Sequence, residues 1–367
     1  RTLIAQAHAE GKSFLGAEGE EPDLAKLEEL VLSLGELKGI AMKMGQILSY
    51  VDDSLPDSAR RVMAHLRTWS PTTPFAELEP ILRAELGERA ETLLAAIVRE
   101  PVASASIGQV HRATLPDGTA LAVKLRHPGI DEAIKADFRS ARIAIPFAKL
   151  MAPGVDVGEL IAEARAGFLE ECDYRLEAQR QARFAELFRG HPVIDVPGVR
   201  AELSGERVLC TEWRDGRSFD EFVDAAPSLD ERNRVGRALY QFYVGSLYRY
   251  GLFNADPHPG NLLFAPDGKV VILDHGCVRH FDADTVAAIA ALSRAVRDDD
   301  ERRVRDALGW LGARKPTSTA QVQVTRELLR GFFAPLLEPG PHRMHSTMAH
   351  SMADIASTKR KAMKLHL

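Results

Sequence analysis

Asn254-Ala-Asp-Pro-His-Pro-Gly-Asn-Leu-Leu-Phe264, followed closely by Ile272-Leu-Asp-His-Gly276, is the stretch that decides how this chain folds. Asp256 precedes Asn261 by five residues, and Asp274 follows Asp256 by eighteen, directly ahead of His275 and Gly276. Residues 261–264 and 269–274 are apolar runs rich in Leu, Val and Ile, and Pro266-Asp-Gly268 between them is a turn signal, so the pattern predicts a β-hairpin. Antiparallel pairing sets the start of the first strand beside the end of the second. Asn261 and Asp274 then meet at the open end, with Asp256 in the loop ahead of them. One amide and one carboxylate suit magnesium, a hard cation that takes few protein oxygens and completes its shell with water and phosphate.

These offsets are those of metal-assisted phosphoryl transfer. In the kinase template an Asp accepts the proton of the substrate hydroxyl, an Asn five residues later ligates one magnesium ion, and an Asp before Gly ligates the metal bridging the phosphates. Asp256, Asn261 and Asp274 occupy those three places. A lone Asp-x-x-x-x-Asn is common by chance and marks an ordinary polar loop; the hairpin and the Asp-x-Gly beside it give this one chemical meaning.

Composition sets the bounds. At 367 residues the chain exceeds the roughly 250–300 at which single cores stop growing, which predicts two or more lobes. Hydrophobic residues at 45% and charged residues at 27% are those of a soluble globular protein, and a net charge of −5 argues against a nucleic-acid partner. Cys172, Cys210 and Cys277 are odd in number and far apart, which suggests neither a disulfide framework nor a zinc site and fits a reducing compartment. The longest apolar stretches, 143–155 and 286–296, are short and interrupted by Lys149 and Arg294, so no transmembrane helix is expected. The start at Arg1 is what a piece of a longer protein would show, any targeting segment or anchor then lying outside it.

Upstream, Leu24, Leu27, Val31, Leu34, Ala41, Met44 and Leu48 recur at three- and four-residue steps and predict one amphipathic helix over 23–50, with Lys43, Gln46 and Tyr50 on its polar side. Two more helices are expected at about 56–68 and 74–86, separated by the break Ser70-Pro-Thr-Thr-Pro74. Strands follow. Residues 109–115 and 119–126 flank a second turn, Pro116-Asp-Gly118, and predict another hairpin. Alternation along its second strand puts Lys124 and the small Ala122 opposite Leu121, Val123 and Leu125, leaving room for a ligand beside a cation. In the kinase template a strand Lys in this setting reaches the nucleotide phosphates and pairs with a helical Glu; standing alone it would be an ordinary solvated lysine. The preceding stretch Val102-Ala103-Ser104-Ala105-Ser106-Ile107-Gly108-Gln109-Val110 stands where a glycine-rich phosphate loop would stand, small side chains replacing all glycines but one. A strong helix over 157–189 carries Glu170, Glu171, Asp173 and Glu177, acids crowded enough that a nearby cation is expected, which Lys124 could supply, the alternative being an exposed acidic face.

Together these motifs resemble the UbiB (AarF) group of atypical kinase-like proteins. Lys43-Met-Gly-Gln46 fits that group's Lys-x-Gly-Gln motif, residues 103–111 its alanine-rich loop, Glu171-Cys-Asp173 its Glu-x-Asp motif, and Asp256-Pro-His-Pro-Gly-Asn261 its catalytic loop. The resemblance implies an α+β, protein-kinase-like two-lobed fold with a small β-containing N lobe, a helical C lobe and an N-terminal helical extension. The segments are an extension over 1–98, an N lobe over 99–213, a C lobe over 214–300 and a C-terminal helical extension over 301–367. It further implies ATP and Mg2+ as cofactors. Lys124 would contact phosphates and pair with Glu177, Asn261 and Asp274 would hold the metal, Asp256 would be the active-site acid, and residues 102–110 would cover the nucleotide. Residues 208–213, with Glu212, would form the adenine-binding hinge. Lys43 and Gln46 would fold over the place of a protein substrate and link to Glu171 and Asp173, making protein phosphorylation a poor fit. On an ideal helix Glu171 and Asp173 point about 200° apart, so both cannot meet Lys43 unless the helix is distorted.

Two positions depart from the kinase pattern without removing a metal ligand: His275 replaces the Phe of Asp-Phe-Gly, and Asn254 stands in place of the catalytic-loop His. A protonated His275 would compete with magnesium, predicting inhibition at mildly acid pH. The resemblance implies an ATPase or atypical kinase supporting isoprenoid quinone (ubiquinone) biosynthesis or related lipid metabolism, with isoprenoid lipid or quinone-pathway proteins as partners, in the cytoplasm with peripheral membrane contact. A small-molecule phosphotransferase of the aminoglycoside or choline kinase kind shares the catalytic loop but lacks the Lys43–Gln46 helix. A nucleotide-binding pseudokinase scaffold is opposed by the intact Lys124, Asp256, Asn261 and Asp274.

Overall fold

The hairpin predicted around Pro116-Asp-Gly118 is present in the computed structural model, which describes residues 72–105, 107–141, 157–312 and 319–337. The chain divides into two compact units, Arg1–Ser70 and Pro71–Leu367, and every described residue belongs to the second. The helices expected over 23–50 and 56–68, with Lys43 and Gln46, and the loop residue Ser106 lie outside the described residues.

Helices α1 (Phe75–Leu86) and α2 (Arg89–Ala96) lead into a four-stranded antiparallel sheet of order β1 (Ala103–Ser104), β2 (Gly108–Thr114), β3 (Ala120–Arg126), β5 (Val208–Glu212). Alternation along β3 sorts the side chains as the sequence predicts: Leu121, Val123 and Leu125 are fully buried, while Ala122 and Lys124 face the other way and are only partly covered. The buried face joins Leu78, Ile81, Leu82, Leu86 and Leu93 of the two helices in one core with Val208 and Cys210. Each large aliphatic side chain withdrawn from water there is worth about 1.5–3 kcal/mol, which anchors β3 and so fixes where Lys124 points.

Gly108 begins β2 against Tyr174, a fully buried tyrosine. A Cβ at Gly108 would fall inside van der Waals contact of both the Leu125 carbonyl oxygen and the Tyr174 hydroxyl. Gly108→Ala is therefore expected to destabilise the protein by about 1–3 kcal/mol through overpacking, read as a lower urea midpoint; an unchanged midpoint would show that the sheet yields.

Helices α3 (Ile130–Ala141) and α4 (Val157–Glu171) follow β3, and α5 (Tyr174–Leu187) completes the segment read from sequence as one helix over 157–189. That expectation is corrected: the helix breaks at Cys172 and Asp173. Asp173 is extended and caps α5, its carboxylate accepting the Arg175 N–H at 3.0 Å. The break is held from outside, since the Tyr174 N–H donates to the Glu206 carbonyl at 2.9 Å and the Arg126 guanidinium donates to the Cys172 carbonyl. Asp is a favoured N-cap because its oxygen satisfies an otherwise orphaned helix amide.

Past β4 (Ile194–Asp195) the chain is mainly helical. Capping boxes built on Ser218 with Glu221 and Ser228 with Glu231 start α6 (Phe219–Asp224) and α7 (Leu229–Tyr240), and a π-helical turn, Gln241–Gly245, joins α7 to α8 (Ser246–Tyr250). The hairpin of β7 (Leu262–Phe264) and β8 (Val270–Ile272) has the register Leu262 opposite Ile272, with β4 parallel to β8 on the other edge. Strands β6 (Leu252–Asn254) and β9 (Val278–His280), too short to announce themselves in sequence, pair antiparallel and bring the two ends of the 254–278 segment together. Phe184, Phe242, Leu262, Phe264, Val270 and Ile272 share the core beneath them. Helices α9 (Ala283–Arg297), α10 (Glu301–Trp310) and α11 (Thr319–Leu337) pack around Leu292, Val296 and Ala307.

Candidate active site

Lys124 projects from the free face of β3 toward α5. Its ammonium donates to both carboxylate oxygens of Glu177, at 2.8 and 2.9 Å, and to Asp274 Oδ2 at 3.3 Å, and it lies 5.1 Å from the centre of the Tyr174 ring. Three chain segments far apart in sequence thus converge on one cation. Burial pushes the Glu177 carboxyl up to about 7 against the opposing pull of Lys124. Burial also acts to raise Asp274, but Lys124 and the Gly276 amide overcome it and hold that carboxyl down at about 2. Lys124, with two carboxylates outweighing its desolvation, is raised well above the ordinary lysine range.

The catalytic-loop residues are arranged by the β6–β9 pair and the β7–β8 hairpin. Asn254, read from sequence only as a departure, is buried and ties the two halves together: its amide nitrogen donates to the Asp274 carbonyl at 2.9 Å and its oxygen accepts the Asp256 N–H at 3.0 Å. No periodicity announces this role, because the Asp274 carbonyl it holds lies twenty residues away in sequence. His258 Nδ1 accepts the Gly260 N–H at 2.8 Å and shapes the turn that delivers Asn261. The Leu273 N–H donates to the Asn261 carbonyl at 2.9 Å, so the hairpin does bring Asn261 alongside the approach to Asp274. The Asn261 amide nitrogen faces Asp256 Oδ2 at 3.3 Å, which leaves its oxygen for a cation.

The Asn261 amide oxygen and the Asp274 carboxylate are hard oxygen donors, the kind magnesium prefers. No cluster of three or more His, Cys, Asp or Glu suited to a metal occurs among the described residues. A site with two protein ligands fits a cation that arrives with phosphate oxygens rather than one caged by protein alone.

The remaining predicted residues are placed as follows. Val102, Ala103 and Ser104 are exposed at the sheet edge, Ala105 follows, and Ile107, Gly108 and Gln109 are buried, with Val110 paired to Lys124 across the hairpin. The Gln109 side chain turns to the N-terminal segment, its oxygen accepting the Thr73 N–H at 2.7 Å and its nitrogen donating to the Thr73 carbonyl at 3.1 Å. The Glu212 carboxylate lies with Arg214 at 2.8 Å and the Gly198 N–H at 3.3 Å, while its backbone continues β5. Glu171 closes α4 near Gly276, whereas Asp173 engages Arg175 through both carboxylate oxygens. Because the helix breaks between them, the ideal-helix angle of about 200° does not apply to Glu171 and Asp173; Lys43 lies outside the described residues.

His275 behaves differently from the sequence expectation. Its ring is fully buried against Phe184 and Phe242, with centroids at 5.2 and 6.0 Å, and neither ring nitrogen has a hydrogen-bond partner among the described residues. Burial pushes its pKa down to about 4. The imidazole is therefore neutral at mildly acid pH, and the inhibition expected there from a protonated His275 does not follow.

A family model described as the ABC1 atypical kinase-like domain matches residues 65–308. The rat protein "Atypical kinase COQ8B, mitochondrial" is 32% identical over 310 residues, covering 82% of this chain and 58% of the relative. The Saccharomyces cerevisiae "Atypical kinase COQ8, mitochondrial" is 27% identical over 264 residues, covering 71% and 52%. The chain spans about half the length of these curated relatives. Among solved structures, the complex of Rv3197 with erythromycin from Mycobacterium tuberculosis superposes with a TM-score of 0.58 at 29% identity, over 92% of this chain and 91% of that one. No helix among the described residues is long and apolar enough to cross a membrane.

Proposed function

This chain belongs to the ABC1 atypical kinase-like (UbiB, AarF) family, and from that premise we propose that it binds Mg-ATP at the Lys124–Glu177–Asp274 cluster and turns it over as an atypical kinase or ATPase. The observation that carries the reading is the placement of the Lys124 ammonium between Glu177 and Asp274, at 2.8 and 3.3 Å. Lys124 contacts the phosphates and stays oriented by Glu177; Asn261 and Asp274 hold the metal; Asp256, beside Asn261, takes a proton from the attacking hydroxyl or water. Magnesium held there would neutralise the charge on the phosphate oxygens. Residues 102–110 cover the nucleotide and residues 208–213 line the adenine. Lys43 and Gln46, with Glu171 and Asp173, restrict the acceptor, and the boundaries at 98, 213 and 300 separate extension, lobes and C-terminal helices. Family membership supports a role in isoprenoid quinone or related lipid metabolism, with peripheral membrane contact.

A thermal-shift titration with ATP, with and without magnesium, tests this reading. A ligand at one hundred times its dissociation constant adds about 2.7 kcal/mol, enough to raise the midpoint by several degrees. Asp274→Asn should retain most of the ATP-only shift and lose the increment that magnesium adds. Absence of any shift in the unsubstituted protein overturns nucleotide binding; a full magnesium increment in Asp274→Asn overturns its role as ligand.

A further inference from the structure

Helix α5 points two functional side chains at the Asp274–Gly276 loop. Glu177 engages Lys124, and one turn later Arg180 spans two acceptors with its guanidinium: Nη1 donates to the Gly276 carbonyl at 2.7 Å and Nη2 to Glu170 Oε2 at 2.8 Å. Glu170, at the end of α4, also receives Arg279 at 3.3 Å, from the strand that leaves the loop. Gly276 is held from its other side as well, its N–H donating to Asp274 Oδ1 at 2.8 Å. One peptide residue therefore connects Arg180 to the Asp274 carboxylate. There is little slack in the connection, because a Cβ on Gly276 would lie 3.2 Å from Asp274 Oδ1 and 3.8 Å from Glu177 Oε2.

We propose that Arg180 is a positioning residue for Asp274, acting through the Gly276 peptide, with Glu170 holding the guanidinium in register so that the strut tunes magnesium affinity. The proposal rests on the Mg-ATP reading of this site. Physically it is an outer-shell effect: a group that bonds the support of a metal ligand restricts the ligand to its productive rotamer, and losing such a partner commonly costs 10–100-fold in metal affinity. A fork is needed, since the two acceptors lie on different elements and only a guanidinium presents parallel donors to both at fixed spacing. Lysine, a single ammonium, can serve one well or both poorly.

Binding of a fluorescent ATP analogue to the full chain, measured against free magnesium, provides the test. Arg180→Met should raise the half-saturating magnesium concentration about 10–100-fold while leaving analogue affinity in EDTA unchanged. Arg180→Lys should fall between the two, and Glu170→Gln combined with Arg180→Met should add less than the sum of the single effects. In the metal-free protein, Arg180→Met should also speed hydrogen exchange at the Gly276 amide. An unchanged magnesium dependence in Arg180→Met, whether or not its melting temperature falls, overturns the proposal. If the unsubstituted chain binds no nucleotide, the proposed function fails on its own account, and unchanged Gly276 exchange in Arg180→Met then overturns the strut independently.

Discussion

Lys124→Met should destabilise the protein by about 3–5 kcal/mol at pH 8.5, the range for removing one partner of a buried ion pair. The lysine ammonium separates two carboxylates, and its loss leaves Glu177, 4% exposed, facing Asp274 without an intervening cation. The deficit should shrink as the pH falls. Glu177 is already raised by burial to about 7, against an ordinary 4.5, and losing Lys124 removes the main force opposing that rise. A carboxyl whose folded pKa exceeds its unfolded one contributes stability at low pH and loses it as pH rises through the folded value. Urea unfolding at pH 6 and pH 8.5 should therefore show a clearly larger deficit at the higher pH, and Lys124→Arg, which keeps the charge, should recover part of it. A deficit below about 1 kcal/mol at both pH values, the level of an exposed pair, would rule out this electrostatic account.

His275→Phe should remove a pH-dependent weakness. With a pKa depressed from 6.5 to about 4, the imidazole resists a proton in the fold that it accepts readily when unfolded. The unfolded chain thus binds more protons between pH 6.5 and 4, and stability falls as the pH falls through that window. At 1.36 kcal/mol per pKa unit the loss amounts to about 3 kcal/mol. The offset between the variants at neutral pH combines relief of two unpartnered ring nitrogens with the bulk of the larger phenyl ring, effects of opposite sign. The slope carries no such ambiguity: relative to the parent, His275→Phe should gain about 3 kcal/mol between pH 7.5 and pH 4. Parallel stability profiles across that window would show that His275 titrates normally and is not sealed in its apolar cage.

Both hairpins were legible because their information is local. Pro116-Asp-Gly118 and Pro266-Asp-Gly268 lie between short apolar runs, and alternation along residues 120–126 was enough to set Lys124 on the face away from the core. The break between Glu171 and Asp173 was not legible, although an aspartate suited to cap a helix stands there. The partners that hold it, Arg126 and Glu206, come from strands and loops remote in sequence. The β6–β9 pair escaped for a related reason: three-residue strands have too little periodicity to register, and their pairing is enforced by the core under Phe242 and Val278. Asn254 and Arg180 carry no local mark of what they do, because each acts on a carbonyl more than fifteen residues away.

The sequence by itself determined which chemical groups are available and in what order: a strand lysine, a small-residue loop, an acidic helix, and an acid–amide–acid set spaced for magnesium and phosphate. Only the tertiary structure decided their partners and charge states. It gave Lys124 both Glu177 and Asp274, placed Arg180 behind the metal loop, turned Gln109 toward Thr73, and buried His275 so deeply that the pH effect expected of it changed from catalysis to stability. The physical reason is that turns and faces follow from steric periods a few residues long, whereas pairing and protonation follow from desolvation and contact among groups that meet only when the chain has folded.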